Sequence, residues 1–359
     1  WGKGEDYRLG HGSTSDSTVP VQVPFPDHRS VEMIATHSSH NCVLMDNGAV
    51  YCWGNNTDGQ IGIGYKSGYS SSPSSSHLPS GSMAVAISVG DSFSCAVLSN
   101  GTITCWGGND LGQLGDGTNT NTTSPSTFVK LGQNAISISS GDSHSCAIMQ
   151  DGRVACWGNN DYGQLGDGTL VDKTSPVYAQ LPNSKSAVMI DVGISHTCAV
   201  LDDGSLYCWG LNANYQLGDG TNTFRSTPIA SNLPNGISAS LVTTGEGHTC
   251  ILTNASTIYC MGANSDGQLG ESTTVSRNSF TETHWNRNNS RNTLYYTNGF
   301  QSSAKFSISG WGEQYSMTST QVPQGISLNQ VACSIDYDGN HLIDSNITVF
   351  ANSTENSFS

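Results

Sequence analysis

Cysteine and histidine are the residues best able to do chemistry in this chain, and both recur at fixed spacing. Cysteines stand ten positions apart five times, as Cys42 and Cys52, Cys95 and Cys105, Cys146 and Cys156, Cys198 and Cys208, and Cys250 and Cys260. Two positions before each pair comes His40, His144, His196 or His248, with Phe93 in the remaining case. Thiols spaced in this way can form a disulfide, hold zinc or lie reduced in a core. A repeated imidazole raises metal ligation or general-base catalysis. Carboxylates recur too. Runs of the form "QLGDGT" carry Asp116, Asp167 and Asp219, with Glu271 in the next unit, and oxygen-rich loops of this kind can take Ca2+.

The stretch between the cysteines decides much of this. In "CVLMDNGAVYCW" (42–53) a three-residue loop, Asp46-Asn47-Gly48, puts glycine at the left-handed position of a type I turn with a bulge. That register sets Met45 opposite Ala49, Leu44 opposite Val50, Val43 opposite Tyr51 and Cys42 opposite Cys52. Opposed β-carbons lie roughly 4.5–5.5 Å apart, close enough for a disulfide after modest adjustment. The same arithmetic holds for the other four pairs. Each hairpin offers only two sulfurs to a metal, and stacked sheets would hold equivalent hairpins roughly 10 Å apart. Disulfides are therefore expected, and with them an oxidising compartment.

The remaining candidates read as structural. Histidines in successive units are too far apart to share a metal unless they line an axis, and Phe93 fills the same place, so packing or backbone bonding is expected. The Asp positions offer few carboxylates at irregular spacing, which favours turn stabilisation over Ca2+. "SIDYDGNHLID" (334–344) faintly resembles a calcium loop through Asp336 and Asp338 before Gly339, but Ser345 stands where the final glutamate belongs. No cofactor is expected. Nor is there a Gly-X-Ser-X-Gly elbow, a His-Glu-X-X-His or a phosphate-binding glycine loop. Cys333 is the eleventh cysteine and has no partner in the repeat, leaving an interchain bond or a free thiol open.

These residues sit in a repeat. Trp-Gly occurs at 1, 53, 106, 157 and 209, continues as Met261-Gly262 and closes at Trp311-Gly312, with spacings of 52, 53, 51, 52, 52 and 50 residues. Eight positions after the aromatic residue or Met261 comes Leu9, Ile61, Leu114, Leu165, Leu217 or Leu269, each followed by glycine. Proline follows at 20, 73, 125, 176 and 228. Around Cys146, the residues Ile148 and Val154 share the cysteine face while Met149, Ala155 and Trp157 share the other. Both faces being partly apolar, each small sheet is expected to lie between two neighbours. Evenly spaced short strands of this kind predict an all-β fold, a β-propeller of four-stranded blades with one disulfide per regular blade.

The stretches "GDSHSCAIMQDGRVACWGNNDYGQLGDGT" (141–169) and "GISHTCAVLDDGSLYCWGLNANYQLGDGT" (193–221) resemble the regulator of chromosome condensation repeat family. The resemblance covers residues 1 to about 273. It implies seven blades and says little of activity, since members include a nuclear nucleotide-exchange factor, a plant ultraviolet photoreceptor and secreted β-lactamase inhibitors. Paired cysteines and an acidic balance separate this chain from the nuclear members, and with one Trp per unit it lacks the photoreceptor's grouped tryptophans. Regular repeats are expected over 1–273, with an N-terminal half-unit (1–26) and complete units over about 27–273. Residues 274–359 are expected to supply a divergent blade around Trp311 and a ring-closing hairpin. In that hairpin Ile343 would stand opposite Cys333, where the second cysteine belongs.

Composition bounds the function. Charged residues make up 11% of the chain, against roughly 25% in ordinary globular proteins. The 28 Asp and Glu outweigh 13 Lys and Arg, and a net charge of −15 repels nucleic acid. No apolar run is long enough to span a bilayer. The chain begins at Trp1, so it is read as processed or partial, with any signal peptide, anchor or further domain outside it. Sequons at Asn55, Asn100, Asn121, Asn254, Asn288, Asn346 and Asn352 offer N-glycosylation sites, and the Ser-rich 69–82 reads as a loop. The expectation is a non-catalytic, secreted glycoprotein, acting as a structural or protein-interaction module of a cell-surface or extracellular assembly by partner binding or self-association. Recognition is expected in divergent stretches such as 64–82 and 275–330. The alternative is a soluble ligand-binding propeller, either an enzyme inhibitor or a glycan-binding lectin using Tyr65, Tyr69, Tyr215 or Trp285.

Overall fold

A computed structural model describes residues 1–26 and 29–283, together with the backbone of four later strands. The described fold is built from one antiparallel unit repeated five times. Blade 1 pairs β1 (Val31–Thr36), β2 (His40–Met45), β3 (Val50–Asn55) and β4 (Tyr69–Ser75) in chain order. Blade 2 holds β5 (Ala84–Val89), β6 (Phe93–Leu98) and β7 (Ile103–Gly107). Blade 3 holds β8 (Ala135–Ser140), β9 (His144–Met149), β10 (Val154–Gly158) and β11 (Lys173–Tyr178). Blade 4 is β12 (Ala187–Val192), β13 (His196–Leu201), β14 (Leu206–Gly210) and β15 (Arg225–Ala230). Blade 5 is β16 (Ala239–Thr244), β17 (His248–Thr253), β18 (Ile258–Gly262) and β19 (Arg277–Glu282).

Register follows turn chemistry. Leu44 faces Val50, Val43 faces Tyr51 and Cys42 faces Cys52, and the Met45 N–H donates to the Ala49 carbonyl across a turn whose Gly48 has φ +77°. In blade 5 the left-handed place falls to Ser256, at φ +59°. Each hairpin's two faces join two different cores. Cys146, Ile148, Val154 and Cys156 pack with Ala187, Ile190 and Trp209 of blade 4. Ala147, Met149, Ala155 and Trp157 pack instead with Phe93, Val97 and Leu114 of blade 2. The core is thus a series of layers between blades.

Three expectations need correction. The fourth strand of blade 2 is reduced to two isolated bridges, Gly107 to Thr122 and Thr104 to Phe128. Blade 3 carries "TSPVYAQL" here and blade 2 "TSPSTFVKL", one residue longer. A period-two strand cannot absorb that extra residue without breaking its ladder. The Ser-rich stretch begins as a strand, β4, rather than a loop; Pro73 is tolerated because β4 is the outer edge.

The late hairpin is the third. β22 (Gln330–Ile335) pairs with β23 (Ser345–Phe350), setting Cys333 opposite Ile347 and not Ile343. This register puts apolar types opposite one another, Val331 with Val349 and Cys333 with Ile347, whereas the expected one would set Val331 opposite Ser345. Before it, β20 (Ser307–Gly310) pairs with β21 (Glu313–Ser316). β22 lies beside β1 and β23 beside β16, the first and last inner strands of the arc. Trp285, Asn288, Trp311, Asp336, Asp338, Ile343 and Asn352 lie outside the described residues, as do the side chains of Cys333 and Asn346.

Candidate functional site

The residues singled out by their chemistry converge on the seams between blades. Five disulfides close the hairpins: Cys42–Cys52, Cys95–Cys105, Cys146–Cys156, Cys198–Cys208 and Cys250–Cys260, with Cα atoms 4.1 Å apart. Every one of these sulfurs is committed to its partner.

The histidines join one blade to the next. His40 Nε2 lies 2.9 Å from Ser94 Oγ, His144 Nε2 2.9 Å from Thr197 Oγ1, and His196 Nε2 3.0 Å from Thr249 Oγ1. Each hydroxyl gives its own proton to a carbonyl, of Gln60, Gln164 or Gln216. It can therefore only accept from the ring, which fixes the proton on Nε2 and leaves Nδ1 a bare lone pair. The Nδ1 atoms of His40, His144, His196 and His248 are buried without a partner. Burial pushes the pKa of His40, His144 and His196 down to about 3 and that of His248 to about 4. The rings of His40, His144 and His196 thus each bond a hydroxyl of the next blade. A buried, neutral imidazole with no access to solvent has no substrate to act on.

Glutamine carbonyls at this repeat position also collect the indoles. Trp106 Nε1 donates to Gln60 O, Trp157 to Gln113 O and Trp209 to Gln164 O, at 2.8–2.9 Å. Trp53 finds Arg8 O in the N-terminal half-unit. Gly62, Gly115 and Gly166 lie against those rings; a Cβ would stand within 3.0 Å of the Trp106, Trp157 or Trp209 ring. At the opposite ends of the blades, hairpin glycines hook the next inner strand: the Ala84, Ala135, Ala187 and Ala239 N–H groups donate to the carbonyls of Gly48, Gly101, Gly152 and Gly204.

Sequence reasoning passed over an asparagine three positions after Trp53, Trp106, Trp157, Trp209 and Met261. Asn56, Asn109, Asn160, Asn212 and Asn264 are all fully buried. Asn160 Oδ1 accepts from the Leu165 N–H, and its Nδ2 donates to Asp167 Oδ1, Thr169 O and Val171 O. The aspartates considered for Ca2+ finish the same brace: Asp167 accepts from the Thr169 N–H and pairs with Lys173, Asp219 with Arg225, and Glu271 with Arg277. Burial works against the Asp167 and Asp219 charges, yet hydroxyl, amide and cation partners hold both carboxyls below the usual range. Among the described residues no group of three His, Cys, Asp or Glu side chains could hold a metal ion.

Sequons divide between two faces. Asn100 and Asn254 are exposed at hairpin tips. Asn55 and Asn121 lie on the opposite loop face, half-buried, with Asn121 Nδ2 donating to Asp58 Oδ1 and its Oδ1 accepting from the Asn109 N–H. Of the aromatics considered for glycan binding, Tyr65 is exposed, Tyr69 stacks on Tyr7 with centroids 4.5 Å apart, and Tyr215 is half-buried with φ +66°.

Sheets of this topology, joined head to tail by buried polar links, define a β-propeller whose constancy lies at its seams and whose variation lies in its exposed loops. The chain belongs to the RCC1-like domain family, whose model matches residues 1–234, and a regulator of chromosome condensation (RCC1) repeat matches residues 240–268. It is 30% identical over 279 residues to the ultraviolet-B receptor UVR8 of Arabidopsis thaliana, covering 77% of this chain and 63% of that protein. It is 31% identical over 252 residues to the human E3 ubiquitin-protein ligase HERC2, covering 69% of this chain but 5% of that protein. The solved structure of human WBSCR16 matches with a TM-score of 0.70 at 24% identity, over 78% of this chain and 74% of that one. Yeast RCC1 (Prp20), in its complex with Kap60, matches at 0.70 and 22%, over 79% and 71%. The chain thus spans less than two thirds of these curated relatives, and the structural matches carry the fold alone.

Proposed function

We propose that this chain is a non-catalytic propeller that works outside the cell, as a structural and protein-interaction module of a cell-surface or extracellular assembly. The observation that carries this reading is the disulfide in each of the five described blades. Cross-links of this density persist where thiols are oxidised and are rare in reducing compartments. Few charges and abundant Ser, Thr, Asn and Gly suit an exterior surface, and Asn100 and Asn254 offer exposed acceptors for glycans. Cys333 is a thiol for linkage to a second chain. Among the described residues no helix is long and apolar enough to cross a membrane.

The test is the mass of native material before and after reduction, with peptide mapping of every cysteine and sequon. Five intra-hairpin disulfides, glycans on the exposed sequons and Cys333 bonded to another chain are the expected result. Reduced cysteines and bare asparagines would move the module inside the cell.

A further inference from the structure

On the loop face, the seam between blades 3 and 4 differs from the one before it. Tyr162, Leu170 and Val171 follow β10, and Phe224 precedes β15; they are 42%, 47%, 62% and 43% exposed. Each lies within three positions of one of two contacts between blades 3 and 4. A Cβ on Gly163 would stand 2.4 Å from the Ser226 Cα, and the Gly168 N–H donates to the Ser226 carbonyl at 2.9 Å. Tyr162 thus adjoins the residue that touches blade 4, and Phe224 lies two positions before the residue touched. At the preceding seam the matching positions hold half-buried Leu111 and the polar Asn119, Thr120 and Asp172. Large apolar side chains left exposed around one seam mark a binding surface.

The rim of the patch is acidic. Asp161 and Asp172 are exposed, and among the described residues they accept only from the amides of Asn159 and Asn160. The neighbouring cations turn inward, Lys173 to Asp167 at 3.4 Å and Arg225 to Asp219 at 2.6 Å. Resting on the interaction-module reading, we infer that this seam is a docking site for a basic, apolar segment of a partner protein, in which lysine or arginine alternates with large apolar side chains. The apolar floor supplies affinity, and the carboxylates set register and speed encounter.

The probe is a short fluorescein-labelled peptide alternating lysine with leucine, titrated by anisotropy against the full, disulfide-bonded chain. Val171→Ser with Phe224→Ser should weaken binding at least about tenfold. Asp161→Asn with Asp172→Asn should weaken it at low salt and less as salt rises. Thermal unfolding checks that these surface variants remain folded. Val85→Ser, Ile136→Ser and Val188→Ser together remove exposed aliphatics from the inner-strand bulges and should leave binding unchanged. Absence of binding would overturn the inference. So would equal binding of a lysine–serine peptide, since net charge alone would then suffice. Loss through the bulge variants instead would misplace the site while leaving the interaction-module reading intact; that reading fails separately, on the cysteine and sequon map.

Discussion

The seam between blades 2 and 3 and the seam between blades 3 and 4 share almost everything. Each receives an indole on a glutamine carbonyl, Trp157 on Gln113 and Trp209 on Gln164. Each is hooked at the far end by a hairpin glycine, and each has a disulfide on both sides. Inside the buried seam they differ at one ring and the hydroxyl beside it. The later seam runs from His144 through Thr197 to the Gln164 carbonyl, whereas the earlier one has buried Phe93, and Ser145 turns to Ser140 at 3.0 Å. The backbone registers are the same, since Phe93 pairs with Gly107 as His144 pairs with Gly158. The polar link is therefore not what shapes the seam. It makes that seam sensitive to protons, while an apolar ring does the same packing without the sensitivity.

Acid should separate the two seams most. The folded-state histidine pKa values, about 3 to 4, lie below the ordinary 6.5, so the unfolded chain binds more protons in between. Stability is complete above pH 6.5 and falls as pH drops toward 4, by about 1.4 kcal/mol per pH unit for each histidine. Urea melts between pH 7 and 5 should show this slope, and His144→Phe should remove one histidine's share of it. A flat profile would mean that the rings protonate in place. Asp191, whose carboxyl burial raises, acts in the opposite sense.

Removing a disulfide should be next in size and should not distinguish the seams. Replacing Cys95 and Cys105, or Cys146 and Cys156, with serine pairs should cost about 3 kcal/mol in either blade. Thr197→Val should cost about 1–3 kcal/mol, since the His144 N–H and Gln164 carbonyl lose their shared partner. Ser145→Ala, at the apolar seam, should cost about 1 kcal/mol or less. Equal losses at the two positions in denaturant melts would refute the role given to the hydroxyl. The smallest effect is a gain. Ser256→Gly relieves a left-handed serine where the other hairpins have glycine, and should raise stability by about 1 kcal/mol and the melting temperature with it.

Hairpin register was legible because a three-residue turn with glycine at its left-handed place admits one pairing. The packing of Trp and Leu between blades was legible as well, since both hairpin faces carry apolar residues. Less was read than the repeat contains. A Ser or Thr precedes the first cysteine of four units, and an Asn follows Trp53, Trp106, Trp157, Trp209 and Met261 by three positions, yet hydroxyls and amides reveal their partners only when blades stack. The broken edge of blade 2 came from a single inserted residue, visible only by aligning its proline segment with that of blade 3. Nothing in the order of the chain brings Tyr162 and Phe224 to the same seam. That neighbourhood depends on a glycine small enough to rest on the next blade's backbone.

The joints have a direction. One blade contributes a carbonyl and a bare glycine, and the next contributes an indole and a hydroxyl, so no blade can meet a copy of itself across a twofold axis. Duplicating a unit in tandem preserves every joint, because the inserted blade brings one half of each kind. Inverting a unit destroys two. A ring assembled in this way can gain or lose members along its length, but it can be read in only one sense.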